Sequence, residues 1–141
     1  MRSFLLLTLL LVPPTARGNG EPIKALLDTQ VAAWNKHDLD GYMAGYWKSD
    51  QLTFFGGGTV TNGWQATLDR YKRRYQGDGK EMGTLSFTDL QVEMLGKTVA
   101  MARGGWHLQM TGGKELKGLF TVILKKLPEG WRIVHDHSSM D

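Results

Sequence analysis

The chain has 141 residues, with 17 Lys and Arg against 14 Asp and Glu and no cysteine. The lack of cysteine excludes disulfides, thiolate metal sites and a lipid-bearing N-terminal cysteine. Residues 1–20 carry Arg2 and Arg17 and no acid, so the remainder holds fifteen bases against fourteen acids and lacks the positive field that a nucleic-acid binder needs.

The first twenty residues have the anatomy of a secretory signal. Arg2 supplies the positive start, and Phe4 to Val12 is an apolar run broken by Thr8. That run is shorter than the roughly 20 apolar residues needed to span a bilayer. Pro13 and Pro14 end any helix. Ala16 and Gly18 put small side chains at −3 and −1 of a cut after Gly18, and cuts after Ala16 or Gly20 are alternatives. Residues 1–20 are therefore expected to be a signal peptide and residues 21–141 a single exported domain, periplasmic or secreted, with no membrane contact once the signal is removed.

In the mature part, Ile23, Leu26, Leu27, Val31 and Trp34 fall on one face of a 3.6-residue period and predict a helix. Asp38 is placed to cap a second, short helix through Tyr42, Met43, Tyr46 and Trp47. Leu52 to Phe55 predicts a strand, Gly56-Gly57-Gly58 a turn and Thr59 to Thr61 a further extended piece. After Asn62-Gly63, a third helix from Trp64 to Tyr75 shows Trp64, Leu68, Tyr71 and Tyr75 on one face. Its bases Arg70, Lys72, Arg73 and Arg74 read as a solvated flank. Four strands follow: Thr84 to Met94, Thr98 to Met110, Leu116 to Leu127 and Trp131 to Ser138. Helices first and a strand meander after predict an α+β fold, in which a twisted sheet curls and about three helices close a cone over its concave face.

Several segments carry a family resemblance: Ala33-Trp34-Asn35-Lys36-His37-Asp38, Phe54-Phe55-Gly56-Gly57-Gly58, Gly118-Leu119-Phe120-Thr121 and the closing Gly130 to Ser139. With them the mature chain resembles the SnoaL-like branch of the nuclear transport factor 2-like superfamily, in particular its small bacterial members of unassigned function. The closing segment is also similar to the association domain of calcium/calmodulin-dependent kinase II. The resemblance implies a cone-shaped α+β domain, a curved antiparallel sheet wrapped by helices, that dimerises through the outer face of its sheet. It implies no one chemistry, because the superfamily spans isomerases, dehydratases, cyclases and assembly domains.

Three groups of residues are candidates for the site. His135 and His137 share one face of the last strand and Asp136 takes the other. Two imidazoles about 7 Å apart by strand rise would suit a ligand carboxylate. With His107 they would form a conceivable zinc site, but no cysteine or carboxylate pair completes it, so no metal and no cofactor are expected. Arg103 lies in the apolar run Val99 to Ala102 and is a candidate anion binder. The likeness to the kinase association domain places it on a pocket arginine, although Val122 stands where that domain has a second one. The aromatic residues Tyr46, Phe54, Trp64 and Tyr71 would line a slot for a flat molecule.

The leading expectation is a domain that binds a small organic molecule, with an anionic one the case Arg103 would serve. Arg103, His135, His137, Tyr71, Trp64, Tyr46 and Phe54 are the contact candidates. The alternative is an isomerase, dehydratase or cyclase that uses His135, Asp136 or His137 as its base, with Tyr71 assisting. A third reading is an oligomerisation module with a vestigial pocket.

Overall fold

A computed structural model of the chain describes residues 19–141. The expected signal segment therefore lies outside the described residues, apart from Asn19 and Gly20.

Helix α1, Glu21–Asn35, has Pro22 in its first turn, where no N–H is needed, and Asn19 Oδ1 accepts the Glu21 N–H at 2.9 Å. Ile23, Leu27, Gln30 and Trp34 are its buried positions. His37 ends it in the left-handed region (φ 60°), with the N–H groups of His37 and Asp38 returned to the Trp34 and Ala33 carbonyls. His37 thus does the work of a C-terminal glycine. Asp38 caps α2, Leu39–Met43, by accepting the Gly41 N–H at 2.8 Å.

Helix α2 is shorter than the sequence predicts. The Ile133 N–H donates to the Gly45 carbonyl and Trp47 N–H donates to the Ile133 carbonyl, so this segment pairs with the sheet instead of continuing as helix. Gly45 is required there, because a Cβ would meet the buried Gln30 amide at 2.8 Å.

Strands β1, Thr53–Gly56, and β2, Thr59–Asn62, form a hairpin through Gly57 and Gly58, both with positive φ. That matches a two-residue turn whose twist suits a hairpin. Helix α3 is Trp64–Tyr75. Then come β3 (Thr84–Met94), β4 (Val99–Gln109), β5 (Glu115–Leu127) and β6 (Gly130–Ser138), with a short 3₁₀ turn at Thr111–Gly113. The six strands form one curved open sheet in the order β2-β1-β6-β5-β4-β3. All neighbours are antiparallel except β1 and β6, which run parallel with Phe54 opposite Asp136. That parallel pair corrects the expectation of a wholly antiparallel sheet.

The concave face packs Ala100, Ala102 and Leu108 of β4, and Phe120, Val122 and Leu124 of β5, against the helices. Trp34 is the hub of the helical side, with Tyr42, Tyr75 and Tyr71 edge-on at ring distances of 5.1, 4.9 and 5.9 Å. A bulge decides what β6 offers to that face. Leu124 opposes Ile133 and the preceding Ile123 opposes His135, so Val134 is extra and alternation is reset. Ile133 and Asp136, three residues apart, are consequently both buried.

Candidate functional site

Between the helices and the concave face lies an aromatic cavity of about 110 Å³. Tyr71 of α3 stands in its wall, edge-on to Tyr42 (5.3 Å) and Phe54 (5.7 Å) and stacked on Tyr75 (6.0 Å). Phe87 and Trp106, contributed by β3 and β4, form the opposite wall. Arg70, Arg74 and the chain end at Ser139 and Met140 also line it. A smaller chamber of about 30 Å³ adjoins it, sharing Tyr42, Phe87 and Trp106 and including Tyr46 and Asp136 in its lining. It has room for one or two water molecules.

Asp136 is the ionisable carboxyl of this inner chamber and is 4% exposed. The Tyr46 hydroxyl donates to its Oδ2 at 2.7 Å and the Ser138 hydroxyl donates to its Oδ1 at 2.8 Å. Ser138 sits two residues on in the same strand, and so on the same face. Burial pushes the Asp136 carboxyl from its ordinary 3.8 up to about 6, while the two hydroxyl donors and His137 oppose the rise. Burial also raises the tyrosines, Tyr42 to about 12 and Tyr46 and Tyr71 well above 10, with the Asp136 charge adding to the effect in each. All three therefore keep their protons and remain hydrogen-bond donors. The Tyr42 and Tyr46 hydroxyls stand 3.4 Å apart, extending the polar cluster from Asp136 towards the larger cavity.

Four of the residues singled out in the sequence meet here: Asp136, Tyr46, Tyr71 and Phe54. The others do not. Arg103 lies on the convex face, 45% exposed, and pairs with Glu93 at 3.3 Å. It cannot anchor a ligand in the cavity, because Ala102 beside it takes the inward position. His135 and His137 are also convex. His135 Nδ1 shares a hydrogen bond with Thr53 Oγ1 at 2.6 Å, and both imidazoles stand edge-on to Phe55. Burial and the neighbouring His137 lower the His135 pKa. His107 faces Glu115 at 3.4 Å, and among the described residues no three His, Asp or Glu side chains gather to hold a metal ion. Trp64 is spent on structure, donating from its indole N–H to the Met43 carbonyl at 2.8 Å beneath Lys48.

Sequence reasoning missed Ser138 and the two arginines. Ser138 is legible from its spacing to Asp136. Arg70 and Arg74 lie one turn apart, each just before an inward tyrosine, and their long side chains run along the wall to the mouth.

Comparison with known proteins gives the lineage. The SnoaL-like domain family matches residues 23–141. A nuclear transport factor 2-like protein of unknown function from Shewanella oneidensis is 40% identical, over 84% of this chain and 97% of that one, with a TM-score of 0.78. A ketosteroid isomerase-like protein from Erwinia carotovora atroseptica shares the fold at 18% identity, over 85% of this chain and 94% of that one, with a TM-score of 0.67. A candidate calcium/calmodulin-dependent protein kinase II association domain from Xanthomonas campestris does so at 17% identity, over 89% and 90%, with a TM-score of 0.66. No curated protein matches the chain. The chain belongs to the SnoaL-like domain family, with the nuclear transport factor 2-like fold.

Proposed function

We propose that the domain binds one small, flat, mostly apolar organic molecule in the aromatic cavity, with Asp136 and its tyrosines as the polar end of the site. The observation that carries this reading is a buried carboxyl, held by Tyr46 and Ser138, at the inner end of a ring-lined cavity. Size limits the ligand. The cavity, about 110 Å³, is of the same order as the roughly 150 Å³ that encloses a benzene, so it is scaled to one ring, with any further groups of the ligand at its mouth.

A second reading is favoured by one observation. A carboxyl pushed up to about 6 is matched to proton transfer near neutral pH, and protonated tyrosines beside it are suited to a developing oxyanion. On that reading the protein is an isomerase or dehydratase with Asp136 as base, in place of His135 or His137. Mass spectrometry of small molecules released from the purified protein tests the binding reading. A monocyclic compound retained by the wild type and lost from Asp136→Asn supports it, and an empty protein with no affinity for any ring compound rejects it. Incubation with cyclic ketones in D₂O tests catalysis. Exchange at the carbon next to the carbonyl, abolished in Asp136→Asn, would establish it, and its absence across the set would leave binding alone.

The same proposal has the domain exported by residues 1–20 and paired through its convex face. There Leu119 is 67% and Val60 58% exposed, and Val60 stands opposite Phe55 in the β1–β2 pair. The chain end found on protein recovered from the cell envelope tests export: a first residue at Arg17, Asn19 or Glu21 agrees with it, and an intact Met1 does not.

A further inference from the structure

The cavity has charge at its mouth, and the charge has one sign. Among the described residues, Arg70 and Arg74 are the only ionised side chains in the lining of the larger cavity. Among those residues, too, the basic side chains within 4.0 Å of a carboxylate are Lys24, Arg103 and His107, so no carboxylate lies within that distance of either arginine. Like charges one helical turn apart destabilise a helix slightly, and the helix dipole explains basic residues only in its last turn. Arg74 belongs to that last turn, whereas Arg70 lies a turn earlier.

Arg70 is held in place. It donates to the Gly56 carbonyl at 2.9 Å and to Thr61 Oγ1 at 3.3 Å, and its guanidinium lies 5.1 Å from the Phe54 ring centre. Two of its five N–H donors are thereby used, and three remain. Gly56 makes the room: a Cβ there would come 2.8 Å from the Phe54 ring and 3.3 Å from Arg70 Nη2. Arg74 is engaged more weakly, its guanidinium lying 5.5 Å from the Tyr75 ring centre. Its hydrogen-bond acceptor is the thioether of Met140, at 3.1 Å, and sulfur is a weak acceptor. Two guanidinium groups with free donors thus flank an apolar slot whose lining carries no counter-charge.

We infer that the ligand of this cavity is a monocyclic carboxylate, its ring between Phe54, Tyr71 and Trp106 and its anionic group held at the mouth by Arg70 and Arg74. The inference rests on the cavity reading above and adds the chemical class. It also moves the anion-binding role from Arg103 to α3. Planar guanidinium groups suit a carboxylate bidentately. Asp136 lies in the adjoining chamber, so a ring bearing a hydroxyl on the side away from its carboxylate offers that chamber a hydrogen-bond donor.

Calorimetric titration of the purified protein at pH 7.5 and low salt, with benzoate, 4-hydroxybenzoate, benzamide and 4-hydroxybenzamide, separates the possibilities. Each acid should bind about tenfold or more tightly than its amide, the size of one charge-assisted hydrogen bond. The preference should shrink as salt is raised and should fall several-fold in Arg74→Gln. That side chain is exposed, so its replacement leaves the core intact. Arg103→Gln should leave the preference unchanged. Acids and amides that bind equally would overturn the anion inference while leaving the cavity reading in place. A preference for acids that survives in both Arg74→Gln and Arg70→Gln would overturn it too. If none of the four compounds binds, the carboxylate inference is overturned, while the cavity reading is decided separately by the mass spectrometry of released molecules.

Discussion

Asp136→Asn should make the protein more stable above neutral pH and leave it nearly unchanged in acid. The carboxyl is buried and its pKa is raised from 3.8 to about 6. A raised pKa means that the folded state binds the proton more tightly than the unfolded chain does. The stabilisation from that proton is therefore fully present below pH 3.8 and is lost as pH rises through about 6. Every tenfold gain in proton affinity on folding is worth about 1.4 kcal/mol, so keeping Asp136 ionised costs about 3 kcal/mol at pH 7.5 and under about 1 kcal/mol at pH 4. Asparagine has the same shape and no charge, and any fixed difference in its hydrogen bonds to Tyr46 and Ser138 does not vary with pH. Urea unfolding of both proteins from pH 4 to pH 8 measures the difference. The gap, variant minus wild type, should widen by about 2 kcal/mol across this range, with its midpoint between the two pKa values. A gap that stays flat, or one that narrows with rising pH, would show that Asp136 is not a desolvated carboxyl and would remove it from the site.

Three other substitutions test the packing around the cavity and the convex face. Trp34→Ala removes the ring on which Tyr42, Tyr71 and Tyr75 converge and should cost about 3–5 kcal/mol by chemical denaturation; a loss below about 1 kcal/mol would contradict a packed aromatic wall. Gly118→Ala places a Cβ into the Ser139 carbonyl. That carbonyl accepts the Trp106 indole N–H at 2.9 Å and the segment is hydrogen-bonded to β5, so the chain end should shift off the mouth at a cost in stability, seen as a lower urea midpoint, altered tryptophan fluorescence and faster ligand release. Leu119→Glu puts a charge at the most exposed large apolar side chain among the described residues and should turn the proposed dimer into a monomer on gel filtration; a wild type that is already monomeric, or a dimer that persists in the variant at micromolar concentration, would overturn pairing through this face.

Much of the fold is legible in the sequence because periodicity and glycine punctuation agree. The strand expected at 98–110 is Val99–Gln109, and the third helix falls at Trp64–Tyr75 as expected. Function is harder to read because the sheet is apolar on both faces. Val99, Met101 and Ile123 lie on the convex side, as Ala100, Ala102 and Leu124 do on the concave one, so alternation cannot tell inside from outside. That is why Arg103, within an apolar run, reads as a pocket residue in the sequence and faces outward in the fold. Parity correctly separates Asp136 from His135 and His137, but not which of them faces inward. The parallel pairing with Phe54 and the bulge at Val134 decide that, and both are tertiary features.

Among the described residues three polar side chains are buried, and they differ in kind. Gln30 donates to the Tyr42 carbonyl at 3.1 Å and Thr67 to the Gly63 carbonyl at 2.8 Å, so each side chain spends its donor on a backbone carbonyl that also accepts a backbone N–H. Neither side chain is ionisable, and structure alone accounts for both. Asp136 satisfies no backbone group. Its partners are the hydroxyls of Tyr46 and Ser138, which phenylalanine and alanine would replace without leaving a gap in the sheet. It makes no ion pair that would offset the burial of its charge, and above neutral pH the fold is weaker for having it. A residue that opposes stability at the inner end of a cavity, with a lone pair left on each carboxylate oxygen, is placed for a ligand to complete. The stability measurement in Asp136→Asn and the binding measurement on the same variant should therefore move in opposite directions. If the variant gains stability and keeps full affinity for every ring compound that binds the wild type, Asp136 contributes nothing to recognition, and the site is reduced to its aromatic walls and the two arginines at its mouth.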